Sequence, residues 1–473
     1  MLIRDARVWP AHPSGGPAGG QLPGTPRTDI RIARGYVTDC GPGLRPVPGE
    51  DEFDAAGGAV LPGLHDHHVH LRALAAAQAS VQVGPAHART AAGLRLRLRE
   101  ADAGAAPGAW LRCVGYHESV AGDLDRWALD RLLPHRPVRV QHRTGALWML
   151  NSAAVARLRL DTCHLPGVER DGDGRPTGRL WRMDGWLAAH IPSPPPDLAA
   201  VSARAAALGV TGFTDATPGA SDRDVAFLAA AVASGAVTQR MYCMAPPGVR
   251  APAASNVVIG AVKILLDDAT LPALDELAGL VRAAHASRRP VAVHCVTRIQ
   301  LVVTLAAIDA AGRLPGDRIE HGAVIPAECL PGLRGVTVVT QPHFVAERGE
   351  QYRAAVPAED LPDLWRLGSL LEAGVPVAAG TDAPFGGADP WPVMRAAACR
   401  PDLGPDEAIS ASAAIGLFLG DPGFPGTRRV VAPGHPADLV VLRVPPAEAA
   451  RSLASDLVAA TFVGGDPVYL RAP

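Results

Sequence analysis

Residues 59–71 read Ala59-Val60-Leu61-Pro62-Gly63-Leu64-His65-Asp66-His67-His68-Val69-His70-Leu71. An apolar lead running into a dense set of imidazoles is the pattern of a buried strand that ends in chemistry. On a strand, residues two apart share a face. His68 and His70 therefore point one way, towards the interior of whatever the strand lines, and His65 and His67 point the other. Two imidazoles on one face are a candidate ligand pair for a divalent ion.

Seven further stretches have the same character: 210–216, 238–245, 256–267, 289–295, 317–322, 336–343 and 375–382. Ala/Leu-rich segments with helical periodicity separate most of them, for example Leu271–Arg288 and Arg298–Gly312. Strands alternating with helices predict repeated β-α units and a parallel sheet. Lys263 to His294 is 31 residues and His294 to His321 is 27. A (β/α)8 barrel of about 250 residues has about 31 per unit, so the spacing predicts an α/β fold of TIM-barrel type. The gap after the first strand is too long for one crossover, so residues of about 72–209 are expected to form an inserted lobe. The two ends of the chain, 1–54 and 411–473, both carry short alternating segments broken by Gly and Pro, including a Gly/Pro-rich loop over 11–26. They are expected to build one small β-sandwich domain together, flanking a barrel that spans 55–410.

Five of the eight expected strands carry a residue that can bind a metal, six side chains in all, five at strand ends and one in a strand interior. The set is His68 and His70, Lys263, His294, His321 and Asp382. Active sites of TIM barrels form at the carboxyl ends of the strands, so these six are expected to converge. Imidazole and carboxylate suit zinc, and also manganese or iron. Lys263 is the only lysine in the chain, although Lys and Arg together number 45. A composition that exchanges Lys for Arg elsewhere keeps one amine where guanidinium does not serve. An ammonium beside divalent cations is repelled, but a neutral amine can add carbon dioxide to give a carbamate, a carboxylate on a long stem. Arginine cannot, because it does not deprotonate.

Composition narrows the function from the other side. Acidic residues number 47, so the formal net charge is -2, which argues against a nucleic-acid binder. Hydrophobic residues make up 48% and charged ones 19%, enough for a sizeable core. No uncharged apolar run is long enough to span a bilayer, and the first residues lack the pattern of a secretion signal. The seven cysteines are scattered with no C-x-x-C pair, the expectation for reduced thiols in a cytoplasmic protein.

These residues resemble the amidohydrolase superfamily, and within it the YtcJ-like branch, amidohydrolase family 3. Pro62-Gly63-Leu64-His65-Asp66-His67-His68-Val69-His70 resembles the P-G-x-x-D-x-H-x-H motif, whose spacing picks out Asp66, His68 and His70. Val262-Lys263 through Asp267, Val293-His294, Ile319-Glu320-His321-Gly322, Thr340-Gln341-Pro342-His343 and Gly380-Thr381-Asp382 resemble the later strands. Asn151-Ser152-Ala153-Ala154 resembles a motif of the branch's lobe, and Pro433–Val440 its return to the β domain. The lobe departs from the branch at Gly145-Ala146, where a Gly-His is common.

The resemblance implies roles. His68 and His70 bind one ion together with Asp382, His294 and His321 bind a second, and carbamylated Lys263 bridges them, with one or both ions present. The reaction implied is hydrolysis of a C–N bond, in an amide, N-acyl or N-formyl amine of a small-molecule substrate, by a metal-activated hydroxide whose proton Asp382 carries to the leaving nitrogen. No nucleic-acid or membrane partner is expected; a homo-oligomer is compatible with the sequence. His343, at the end of the seventh strand, and His117 and His142, in the lobe, are expected substrate contacts. Trp148 and Trp391 are expected in the core. Two other readings compete. A mononuclear deaminase would want a Glu shortly after His294, and the run His294-Cys295-Val296-Thr297-Arg298 has none. A non-catalytic scaffold would have lost ligands, and all six positions are filled.

Overall fold

The computed structural model describes residues 1–10, 24–253, 255–401 and 403–472. Residues 11–23 of the expected Gly/Pro-rich loop lie outside the described residues. The chain divides into two compact units, Met1–Leu71 with Leu198–Pro473, and Arg72–Asp197. The helix Leu198–Ala207, which the sequence reading assigned to the lobe, falls in the first unit. It buries Val201 and Ala206, and the Ala206 carbonyl accepts from the Thr461 hydroxyl at 2.7 Å.

In the first unit nine parallel strands form two sheets. The first sheet holds β1 (Leu64–Val69), β2 (Val210–Asp215), β3 (Arg240–Cys243) and β4 (Val257–Ile259), each paired with the next. The second holds β5 (Val262–Leu265), β6 (Val291–Cys295), β7 (Arg318–His321), β8 (Thr337–Thr340) and β9 (Val377–Ala379), again in sequence order. The stretch expected as one fourth strand is thus split. At the break, the Gly260 amide donates back to Cys243 while the Val262 amide donates forward to Pro290, both at 2.8 Å. At the other seam, past the end of β9, the Asp382 amide donates to the His68 carbonyl at 2.8 Å and the His70 amide to that of Ala383 at 2.9 Å.

The connecting helices follow local rules. Leu274–Ala286 buries Leu277, Ala278, Val281 and Ala284, a stripe of helical period, and carries Asp275 and Glu276 in its first turn, where the helix dipole favours negative charge. Arg298–Ala311 starts at Thr297, whose hydroxyl accepts from the Gln300 amide.

Strands from both ends form one eight-stranded sheet. Its order is Asp466–Leu470, Val458–Val463, Leu439–Leu442, Ala59–Pro62, Leu2–Val8, Thr28–Ala33 and Tyr36–Gly41, with Glu52–Asp54 also on Leu2–Val8. Ala59–Pro62 belongs to this sheet, so the stretch 59–71 is two strands. One residue, Gly63, separates them. A Cβ there would lie 2.1 Å from the Thr211 methyl, so only glycine fits.

The second unit contains a six-stranded sheet in the order Val168–Arg170, Pro176–Trp181, Leu147–Leu150, Val138–His142, Leu111–Tyr116 and Val81–Gln82. Asn151, fully buried, fastens its turns. Its carbonyl oxygen accepts from Val138 and Ala154, and its amide donates to Leu133 and Arg136. Trp148 and Trp391 are buried in their respective units, as expected. Among the described residues no helix is long and apolar enough to cross a membrane. All seven cysteines are free.

Candidate metal centre

The carboxyl ends of β1, β6 and β7, the turn after β9, and the middle of β5 bring the expected donors together. The ring centres of His68 and His70 are 5.4 Å apart, those of His68 and His321 4.8 Å, and those of His294 and His321 4.6 Å. Asp382 Oδ1 lies 3.2 Å from His70 Nε2 and 3.6 Å from His68 Nε2. Lys263 sits on β5, opposite Ala292 of β6. It is buried, and its Nζ has no hydrogen-bond partner among the described residues. Burial pulls its pKa down against the attraction of Glu320 and Asp382, the direction a neutral amine needs.

The ring nitrogens that face away from this cluster are occupied. His68 Nδ1 meets the Glu320 carboxylate, and His321 Nδ1 meets Gln341 Oε1 at 2.8 Å. Both partners are acceptors, so both Nδ1 atoms carry the proton and both Nε2 atoms are bare. Burial holds His68 near a pKa of about 3 and depresses His321 and His294, so the rings stay neutral. A bare, buried His68 Nε2 without a hydrogen-bond partner faces a carboxylate oxygen at 3.6 Å. Two lone pairs directed at one another are unfavourable unless a cation lies between them. The donor set therefore fits a divalent ion on its own chemistry, with outer hydrogen bonds that fix ligand tautomers as such sites require.

Below the cluster lies a buried ion pair that sequence reasoning missed. Arg318 Nε donates to Glu320 at 2.5 Å, and its Nη2 donates to the His67 carbonyl at 3.1 Å. Burial opposes ionisation of Glu320, but the Arg318 guanidinium and the hydrogen bond from His68 hold its pKa well below the usual range. Alternation along β7 puts Glu320 and His321 on opposite faces. They serve one site because His321 adopts a left-handed φ of 71° and the chain turns there. Asp382 does the same at φ 51°. Such backbone costs energy and persists where surrounding contacts impose it. For Asp382 the contacts come from Asp66, which accepts from the Thr381 amide at 2.9 Å, the Thr381 hydroxyl at 2.5 Å and the His68 amide at 3.2 Å. Desolvation raises the Asp66 pKa to about 6.

The remaining expectations fare differently. His65 faces away from the cluster and meets the Thr214 hydroxyl at 2.8 Å. His343 does not end β8. Pro342 turns the chain into αR, and His343 opens the helix His343–Ala355. Its ring is buried against Phe344 with centres 4.6 Å apart, and burial takes its pKa to about 3. His117 and His142 lie in the second unit and meet each other on Glu118.

The chain has known relatives. The chain belongs to the amidohydrolase family, which matches residues 51–469. It is 25% identical to N-substituted formamide deformylase of Arthrobacter pascens, over 90% of this chain and 91% of that one. It is 23% identical to the putative amidohydrolase YtcJ of Bacillus subtilis (strain 168), over 84% and 86%. Among solved structures, an uncharacterized metal-dependent hydrolase from Pyrococcus horikoshii OT3 matches with a TM-score of 0.73 at 17% identity, covering 94% of this chain and 98% of that one. Atrazine chlorohydrolase TrzN from Arthrobacter aurescens TC1, complexed with zinc, matches with a TM-score of 0.56 at 15% identity, over 98% and 94%. These two likenesses establish a shared fold.

Proposed function

We propose that this protein is a metal-dependent hydrolase that cleaves the C–N bond of a small non-peptide amide, an N-acyl or N-formyl amine, with Asp382 and Lys263 as catalytic residues. The observation that carries the reading is the pair of bare Nε2 atoms, on His68 and His321, beside the Asp382 carboxylate and an unpartnered buried amine. The relationship to a formamide deformylase supports the bond type.

In this reading the nine parallel strands close as a (β/α)8 barrel whose fourth strand is broken, and the terminal sheet is a composite domain. His68, His70, His294, His321 and Asp382, with Lys263 as its carbamate, hold one or two ions, zinc before manganese or iron. A bound ion supplies Lewis acidity, polarising a carbonyl and lowering the pKa of water. The residues do the rest. Asp382 Oδ1 takes the proton of the attacking water and delivers it to the leaving nitrogen, which departs only when protonated. Glu320 keeps the His68 ring oriented. The neutral ring of His343 offers a hydrogen bond to the substrate.

The test is a screen of N-formyl, N-acyl and cyclic amides with zinc-loaded and chelator-stripped protein. Release of amine that disappears on chelation and returns with zinc supports the reading. Turnover indifferent to chelation, or stoichiometric zinc with no amide cleaved, rejects it.

A further inference from the structure

The second unit contains a second cluster of two imidazoles and one carboxylate; the sequence reading expects two of its residues, His117 and His142, to touch substrate, and the proposed reaction does not use it as a metal site. His117 follows the strand Leu111–Tyr116, and His142 ends the neighbouring parallel strand Val138–His142, in register with Tyr116. Glu118 opens the short helix Glu118–Ala121. The three side chains thus gather at the carboxyl ends of adjacent parallel strands, where ligands of open α/β sheets bind.

Their geometry repeats that of His68, His70 and Asp382. Glu118 Oε2 lies 3.2 Å from His142 Nε2 and 3.5 Å from His117 Nε2, and all three atoms fall within 4.8 Å of one another. Around one tetrahedral zinc, with bonds of about 2.0–2.2 Å, neighbouring ligand atoms stand about 3.3 Å apart. The two spacings from Glu118 already match that value, and the two imidazole nitrogens lie within 4.8 Å of each other. Each outer ring nitrogen has a hydroxyl partner, His117 Nδ1 with Ser119 Oγ at 2.9 Å and His142 Nδ1 with Thr144 Oγ1 at 2.8 Å. A hydroxyl can accept, so each ring can carry its proton on Nδ1 and present Nε2 bare. The backbone amides of Ser119 and Thr144 donate to these same nitrogens, at 3.2 and 3.3 Å. That contact favours the opposite tautomer, in which both rings donate to Glu118, and an ion must displace it.

We infer that His117, Glu118 and His142 form a second divalent-cation site, of two imidazoles and one carboxylate, built from residues of the second unit alone. Two nitrogen donors select zinc, cobalt or nickel over magnesium and calcium, which prefer oxygen. Glu118 is partly exposed, which leaves the fourth position to water. A bound ion ties the start of the Glu118–Ala121 helix to the turn after Val138–His142.

The experiment counts ions. Full-length protein is saturated with zinc, passed through a desalting column and analysed for zinc per chain, in wild type, Glu118→Gln, His142→Ala and a His68→Ala/His70→Ala double variant, each checked for folding by circular dichroism. The expected result is one ion fewer in both lobe variants than in wild type, with the lobe ion retained in the double variant. Equal zinc in wild type and both lobe variants overturns the site and leaves a carboxylate clamped between two imidazoles. Zinc lost in the lobe variants but unchanged in the double variant supports the lobe site and overturns the strand-end centre instead.

Discussion

The imidazole of His68 donates from Nδ1 to the carboxylate of Glu320, and both side chains are almost wholly removed from solvent. Glu320 is in turn held by Arg318. This chain decides which nitrogen of His68 is bare. Glu320→Gln keeps the size and removes the charge. Zinc affinity, measured by competition with a chromogenic chelator, is expected to fall about 10–100-fold, the usual effect of an outer partner. Unchanged affinity would show that Glu320 is a packing residue.

Lys263→Arg is expected to abolish both zinc loading and turnover while circular dichroism stays that of wild type. Guanidinium keeps its proton and cannot form a carbamate. Wild-type enzyme incubated with carbon-13 bicarbonate should show a carbamate resonance that the variant lacks. Full zinc and activity in the variant would remove Lys263 from the site.

Asp382→Asn keeps a ligand oxygen and loses the base. It should retain most of its zinc and lose turnover by about 10²–10⁴-fold, the range for removal of a general base. A rate near that of wild type would assign the proton to another group.

Gly380→Ala tests how tightly the seam is built. A Cβ at Gly380 would stand 2.5 Å from the His68 backbone nitrogen and Cβ. The added methyl must push β1 away, at about 1–3 kcal/mol, and should lower both the unfolding midpoint and zinc affinity. Loss of stability alone would mean that the displacement is absorbed away from His68.

A carboxylate away from the metal centre, Glu407, bears on acid stability. Burial works against ionisation of Glu407, but the Ser369 hydroxyl, the Ser369 and Leu367 amides and Arg366 hold its pKa below the ordinary value. A folded-state pKa below the unfolded one gives stability that is full above the unfolded value, about 4.3, and is lost as pH falls through the folded one. Glu407→Gln should cost about 1–3 kcal/mol at pH 7, with a gap to wild type in urea unfolding that holds down to the unfolded value and narrows only as the pH falls below it. A gap independent of pH would contradict the assignment.

The strand ends were legible because period-two alternation and β-α spacing act along the chain. His68, His70, His294 and Asp382 fall where those two rules put them. Glu320 was not legible, because alternation assigns it to the face opposite His321. Only the left-handed turn at His321 lets both serve one site, and a single non-glycine φ leaves no mark in composition or periodicity. The split of 256–267 into β4 and β5 was hidden for a similar reason. Gly260-Ala261 looks like any small pair inside an apolar run, and the break shows only in where its amides donate. His343 was misplaced because the turn that Pro342 makes into helix is one of two continuations open to it, and extended chain is the other.

Gly63 is the single joint between a strand of the terminal sheet and the strand that carries His68 and His70. Leu439–Leu442 pairs with the terminal-sheet strand on one side of that joint, so the strand bearing the two imidazoles is moored by chain synthesised hundreds of residues later. A ribosome that has released everything up to Asp382 has made every donor and still lacks the mooring. On the proposed reading, ordered cation binding waits for that mooring, and a tail clipped before Leu439 should leave a protein that owns all its donors but cannot keep them aligned.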